Sequence, residues 1–389
     1  MRNEFIGNLV MPDRIIYGGK IICEDGMIVD IMEQDHAIQT QYPYILPGLI
    51  DIHNHGALGH DYMDSTEEAF ATISQYLASH GITSAQCTTM SARVDDILRL
   101  FHAFRRWQQQ SKHYRNCCRF TGVHMEGPYL APESRGAQPL EVLKTPSDGY
   151  QWILDNADVV KEITLAPELL GMPEMIHDLK KAGIVVSGGH DHAEIEDVVA
   201  AIAKGMTHCT HIYCAMSTLH KKDAQRKCGL CEYAMTHSNI TAEMIADNHH
   251  IPPLLAQMIY KCKGPEKLCL VSDAITPAGL QESDTLYLLG AGEDATKVFV
   301  EDGVALVEDK SCYAGSIQSL DRMIANLVKD SNIPFVDAVR MATLTPAEII
   351  GIDHECGSLS IGKRADFCFM DGNYSVVKTV IAGEVCYEK

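Results

Sequence analysis

At 389 residues, 46 % hydrophobic and 22 % charged, the chain has the composition of an ordinary folded domain protein with length enough for a large core, which excludes disorder as its organising state. Its 52 Asp and Glu against 32 Lys and Arg give a formal net charge of −20, which repels polyanions at long range and excludes nucleic acid as a natural partner. No apolar run reaches the roughly 18 residues that would cross a bilayer, and the opening Met1-Arg2-Asn3-Glu4 is not the start of a secretory signal, so the expected location is cytoplasmic, with no membrane partner.

In chain order, residues 14–23 and 26–32 read as strands separated by Glu24-Asp25. Short apolar runs then alternate with segments of helical period: 45–55, 82–90, 120–127, 162–168, 183–190, 208–214, 240–247 and 268–274. Eight such βα units over roughly 230 residues predict an α/β fold, a TIM-type (β/α)8 barrel, with a doubly wound open sheet as the alternative. Helical patterns at 316–329 and 334–342 lead to two more strands, 366–370 and 375–381. The two chain ends are expected to share a small β domain of residues 1–46 plus 356–389, beside a barrel domain of residues 47–355.

The 14 cysteines are scattered without a repeating framework, which favours reduced thiols. The single Cys-x-x-Cys, Cys228-Gly229-Leu230-Cys231, has no second pair to complete a zinc site and reads as two small residues on a helix.

Metal-ligand side chains recur where the predicted strands end, the face on which barrel enzymes keep their active sites. The first strand ends in His53-Asn54-His55, two imidazoles of equal parity, and the third in His124-Met125-Glu126. The fifth ends at His190, the sixth carries His211 and the eighth Asp273. A lone strand histidine is more often a hydrogen-bonded core or surface residue, the reading adopted for His208 and His192. So many imidazoles and carboxylates at strand ends instead predict a divalent transition metal, Zn or Fe, with a position left open for water.

The run Leu46-Pro47-Gly48-Leu49-Ile50-Asp51-Ile52-His53-Asn54-His55-Gly56 resembles the opening metal motif of the amidohydrolase superfamily. His124-Met125-Glu126-Gly127-Pro128, Ala166-Pro167-Glu168, Gly189-His190, Thr210-His211, Ala246-Asp247 and Ser272-Asp273-Ala274 with Pro277-Ala278-Gly279 follow in the order of the N-acetylglucosamine-6-phosphate deacetylase family. The resemblance implies Glu126, His190 and His211 as core metal ligands, His53 and His55 as holders of a second ion, hence one or two ions per chain, and Asp273 as the catalytic acid/base. His124 is next in line for that proton role.

The same resemblance implies an amino-sugar phosphate substrate contacted by Ala137, Cys214, Ala215, Lys222, His250, Tyr313, Ala314 and Gly315. Cys214 stands where the family usually has Asn, and Lys222 where it has Arg. Lysine still offers a positive charge to phosphate but not the bidentate fork. The Lys222 and His250 positions of the family serve a neighbouring subunit, so a homodimer is implied. The basic segment 219–227 either selects an anion or is simply a solvated charged loop. Another amidohydrolase, acting on a different N-acyl amino sugar or an N-acyl amino acid, is the alternative function. A non-catalytic assembly protein on the same fold would have lost metal ligands, and none is lost here.

Overall fold

The computed structural model describes residues 2–33, 43–111, 114, 116–283 and 285–389. Eight strands form one sheet of wholly parallel neighbours: Leu49–Asp51, Ile82–Thr89, Arg119–Glu126, Val160–Leu165, Val185–Gly188, His208–Cys209, Thr241–Met244 and Leu268–Leu270, adjacent in that order. Strand Ile82–Thr89 is buried along its whole length, as a strand between a barrel interior and a helix layer must be. Helix Val94–Gln110 shows how that layer packs. Its Ile97, Leu100, Phe101, Phe104 and Trp107, at helical spacing, are the buried side, while Asp95 and Asp96 sit in its first turn, where the helix dipole favours them.

The first and eighth strands share no ladder, and side chains close the gap. Ser272 donates its hydroxyl to Asp51 Oδ2 at 2.6 Å and its backbone N–H to Asp51 Oδ1 at 3.2 Å, and the Asp273 N–H reaches the His53 carbonyl at 2.9 Å. This seam carries two of the candidate site residues.

The predicted run 45–55 divides in two. Tyr44–Pro47 joins a seven-stranded sheet built from both chain ends, and only Leu49–Asp51 enters the barrel. Gly48 makes the crossing, where a Cβ would stand 2.1 Å from the Thr83 hydroxyl oxygen, so no larger residue fits the step between sheets. In the seven-stranded sheet, Tyr44–Pro47 lies between Arg2–Val10 and Phe367–Met370, which brings the ends together. Two of its strands, Arg2–Val10 and Glu384–Glu388, are not among the sequence expectations. Six of the nine residues in the first and four of the five in the second are not fully buried, which dilutes the apolar signal.

A further four-stranded antiparallel sheet, Tyr287–Leu289, Thr296–Glu301, Val304–Val307 and Tyr313–Gly315, follows the eighth barrel strand. It is anchored at the barrel mouth by the Ala274–Ser316 bridge. That bridge also delays the next helix, expected from residue 316, to Leu320–Lys329.

Asp321 in that helix ties three elements. Its carboxylate takes hydrogen bonds from the Ser319 hydroxyl, from His80 Nδ1 at 3.1 Å and from the Val376 N–H at 3.5 Å. Burial alone would raise its pKa, but the His80 contact and the hydroxyl outweigh it and hold it below the ordinary value. A depressed carboxylate contributes stability above its unfolded pKa of about 3.9 and loses it as pH falls through the folded value. Asp321→Ala should therefore lower the unfolding free energy by roughly 2–3 kcal/mol at pH 7. In urea titrations the difference should shrink in strong acid.

Candidate metal and catalytic site

Six ionisable side chains meet at the carboxyl end of the barrel. His53 and His55 follow the first strand, Glu126 ends the third, His190 follows the fifth, His211 the sixth and Asp273 the eighth, and all six are buried. Three of them leave their strands in left-handed backbone, with φ of 48° at His190, 21° at His211 and 46° at Asp273. Such conformations cost non-glycine residues about 1–3 kcal/mol each and persist where surroundings impose them. Here the imposing bonds are visible. The Asp273 N–H and carbonyl are held by His53 and Ser316, the His211 N–H by Glu243, and the His190 carbonyl by the Ala131 N–H. All three side chains meet the cluster and line the cavity beside it.

Glu126 is the hub. Its Oε1 lies 3.1 Å from His190 Nε2, 3.0 Å from His211 Nε2 and 3.4 Å from His53 Nε2. Its Oε2 lies 3.4 Å from His55 Nε2 and accepts a bond from the Gln138 side chain. Asp273 Oδ1 faces His55 Nε2 at 3.3 Å and His53 Nε2 at 3.6 Å. His190 Nε2 and His211 Nε2 are 3.1 Å apart.

Ligands about 2.1 Å from a tetrahedral ion stand about 3.4 Å from one another, which is the scale of these separations. His53 Nε2 makes no hydrogen bond although it is fully buried, an orphan that a cation would satisfy. The donor set of imidazole and carboxylate suits Zn(II) or Fe(II). Two groups within it share His53, namely His53 with His55 and Asp273 and His53 with Glu126 and His211, and His190 Nε2 adjoins the second at 3.1 Å from both Glu126 Oε1 and His211 Nε2.

Burial alone would raise the Glu126 carboxyl, but the neighbouring His190 and His53 hold it well below the usual range. Burial would likewise lower His53 and His190, yet the carboxylates around them raise both. Before an ion binds, the cluster therefore carries protons that the ion must displace. His124 behaves differently. Buried, with Nδ1 on the Ile52 carbonyl at 3.1 Å and Nε2 on the Thr164 hydroxyl at 2.8 Å, it is pushed down to about 3 by burial and by His53. Both ring nitrogens of His124 are engaged in these bonds, which leaves neither free toward the cluster. His124 shares side-chain parity with Glu126 but lies one step lower on the strand. His208 is in the same buried layer, bonded to Thr241 at 2.6 Å, while His192 lies exposed on the loop after His190.

Above the cluster opens a cavity of about 530 Å³. Its wall includes Ala137, Cys214, Ala215, His250, Tyr313, Ala314 and Gly315 together with His55, Glu126, His190, His211 and Asp273. The four-stranded sheet supplies the 313–315 edge. Gly315, at φ 127°, lies so close that a Cβ would stand 2.9 Å from the Asp273 carbonyl oxygen. The Cys214 thiol is pushed up by burial, which disfavours the thiolate that a nucleophile would need. His250 bonds Asp247 through Nδ1 at 2.7 Å, and that carboxylate outweighs burial to raise its pKa. It places an imidazole, hydrogen-bonded to Asp247, in the wall of its own chain's cavity.

A family model described as the amidohydrolase family matches residues 44–386. The N-acetylglucosamine-6-phosphate deacetylase of Vibrio furnissii is 33 % identical over 88 % of this chain and 83 % of that protein. The chain belongs to the amidohydrolase family, in its N-acetylglucosamine-6-phosphate deacetylase branch. The N-acetylgalactosamine-6-phosphate deacetylase of Escherichia coli O157:H7 is 30 % identical over 95 % of this chain and 93 % of that one. Among solved structures, an aspartate-to-alanine variant of the Mycobacterium smegmatis N-acetyl-D-glucosamine-6-phosphate deacetylase, in complex with N-acetyl-D-glucosamine-6-phosphate, superimposes with a TM-score of 0.89 at 25 % identity, covering 99 % of each chain.

Lys222 is the one substrate-contacting expectation that the structure does not bring to this cavity. It lies on an exposed two-stranded ribbon, His220–Lys222 with Gln225–Lys227, ion-paired with Glu194. Sequence reading missed Gln138 and Glu243, both buried against the cluster. Amide and carboxylate residues of this kind carry no motif; the only signal for Glu243 was a charged residue inside an otherwise apolar strand run.

Proposed function

We propose that this family member is a metal-dependent hydrolase that removes the acetyl group from an amino-sugar phosphate, N-acetylglucosamine 6-phosphate first among them, releasing glucosamine 6-phosphate and acetate. The observation that carries this is the placement of Asp273 against the His53–His55–Glu126–His190–His211 cluster at the floor of a sugar-sized cavity with His250 in its wall.

Glu126, His190 and His211 would hold one zinc or iron ion, and His53 and His55, with Glu126 between, a second. A divalent ion there supplies Lewis-acid chemistry, acidifying a water and stabilising negative charge on the acetyl oxygen. Asp273, ionised because His55 and His53 outweigh its burial, takes the proton of the attacking water. It then returns that proton to the departing amine, which without it is too poor a leaving group. The cavity wall holds the sugar so that its acetyl group meets Asp273, Ala137 and the 313–315 edge acting largely through backbone groups. His250, whose pKa Asp247 raises, offers its imidazole to the phosphate.

The exposed position of Lys222 supports a homodimer in which the ribbon of one protomer serves the cavity of the other. No helix among the described residues is long and apolar enough to cross a membrane, in keeping with a cytoplasmic enzyme of amino-sugar metabolism.

The test is acetate release from N-acetylglucosamine 6-phosphate, its C4 epimer N-acetylgalactosamine 6-phosphate, unphosphorylated N-acetylglucosamine and N-acetyl amino acids. A preference for the first is expected, and equal efficiency with and without phosphate would move the reading to another N-acyl substrate. Lys222→Ala should raise KM for the phosphorylated substrate about tenfold with little change in kcat, the loss of one charge-assisted contact. Added salt should act on the native enzyme in the same direction.

A further inference from the structure

Glu243 lies on the seventh barrel strand, Thr241–Met244, fully buried beneath the cavity. One of its oxygens, Oε2, accepts two hydrogen bonds, from His53 Nδ1 at 2.9 Å and from the His211 backbone N–H at 3.0 Å. The other, Oε1, faces His208 Nε2 at 3.5 Å. The residue is not among those that line the cavity, so it has no path to substrate.

The two bonds have different consequences. A histidine whose Nδ1–H is bound by a carboxylate carries its proton there, leaving Nε2 as the free lone pair, with its direction fixed and its basicity raised. In His53 that nitrogen makes no hydrogen bond and faces Glu126 Oε1 at 3.4 Å and Asp273 Oδ1 at 3.6 Å. The second bond holds the backbone of His211 at the point where φ is 21°, a left-handed turn that needs an external restraint. A single carboxylate thus orients imidazoles from the first and sixth strands toward the same place.

We propose that Glu243 is the positioning residue that makes His53 a metal ligand. It selects the Nδ1-protonated tautomer, keeps Nε2 directed at the Glu126 and Asp273 carboxylates, and so sets how tightly the protein retains an ion on the His53 side of the site. The proposal rests on the reading of His53 as a ligand given above.

The experiment compares native protein with His53→Ala, Glu243→Gln and Glu243→Leu. Each is loaded with zinc and dialysed against graded chelator concentrations, zinc per chain is measured by elemental analysis, and the cobalt-substituted proteins are examined by absorption spectroscopy. Glutamine keeps the shape and an acceptor oxygen but not the charge, so it should weaken retention of the His53-side ion about tenfold. Leucine should weaken it about a hundredfold and approach the stoichiometry of His53→Ala, the range seen when the hydrogen-bond partner of a ligand is removed. The cobalt spectrum should change in both, and the glutamine variant should lie between native and leucine. If Glu243→Leu does not fold, Glu243→Gln decides, since an unchanged chelator titration and spectrum in that variant overturn the proposal. Loss of ion in His53→Ala without any loss in the Glu243 variants defeats the positioning role alone. Unchanged zinc in His53→Ala defeats the ligand reading and the proposal with it.

Discussion

Asp273→Asn should lower kcat by at least about a hundredfold, the usual cost of losing a positioned general acid/base, while the protein stays folded and KM changes little. The expectation comes from the placement of the carboxylate: buried, 3.3 Å from His55 and 3.6 Å from His53, and part of the wall of the cavity. Asparagine keeps the size and the backbone bonds to His53 and Ser316, so the seam between the first and eighth strands survives. What it removes is the ability to take a proton from water and return it to the amine. Because the same oxygen faces two ligand-type imidazoles, metal content must be measured on the same sample. Near-native turnover at full metal content would reassign the proton role.

Removing the metal should abolish turnover, with recovery on adding zinc or ferrous iron. Native protein should hold one or two ions per chain, and replacing His53 and His55 together should remove one of two. An unchanged stoichiometry in that double variant would leave only the Glu126–His190–His211 group filled. The pH dependence has a definite sign. His53 and His190 have raised pKa values, because neighbouring carboxylates outweigh their burial. Both therefore bind protons more readily than a free imidazole, and an ion must displace those protons. Metal retention against a chelator should weaken as pH falls, and ion binding should release protons measurable in unbuffered solution. Full activity of metal-free protein would end the proposed mechanism.

Much of this was legible in the residues alone, for physical reasons. Alternation of apolar runs with helical periods specifies βα units, and eight of them within a chain of this length leave few arrangements besides a barrel. Strand ends meet on one face of a barrel by construction, so His53, His55, Glu126, His190, His211 and Asp273 could be assigned to one site before any coordinates. What periodicity cannot supply is height along the barrel axis. His124 and Glu126 share parity, yet one is locked in a buried layer and the other is the hub of the cluster. The same limit hid Glu243, whose role depends on two bonds to distant strands. The run 45–55 divides at Pro47-Gly48, a breaker pair masked by the apolar residues on both sides of it, and the two halves join different sheets. The ribbon carrying Lys222 stands exposed, ion-paired with Glu194, and does not line its own chain's cavity. Local order follows from side-chain type and spacing within the chain, whereas the layer a polar group occupies and the partner it finds are decided only when distant strands are brought together.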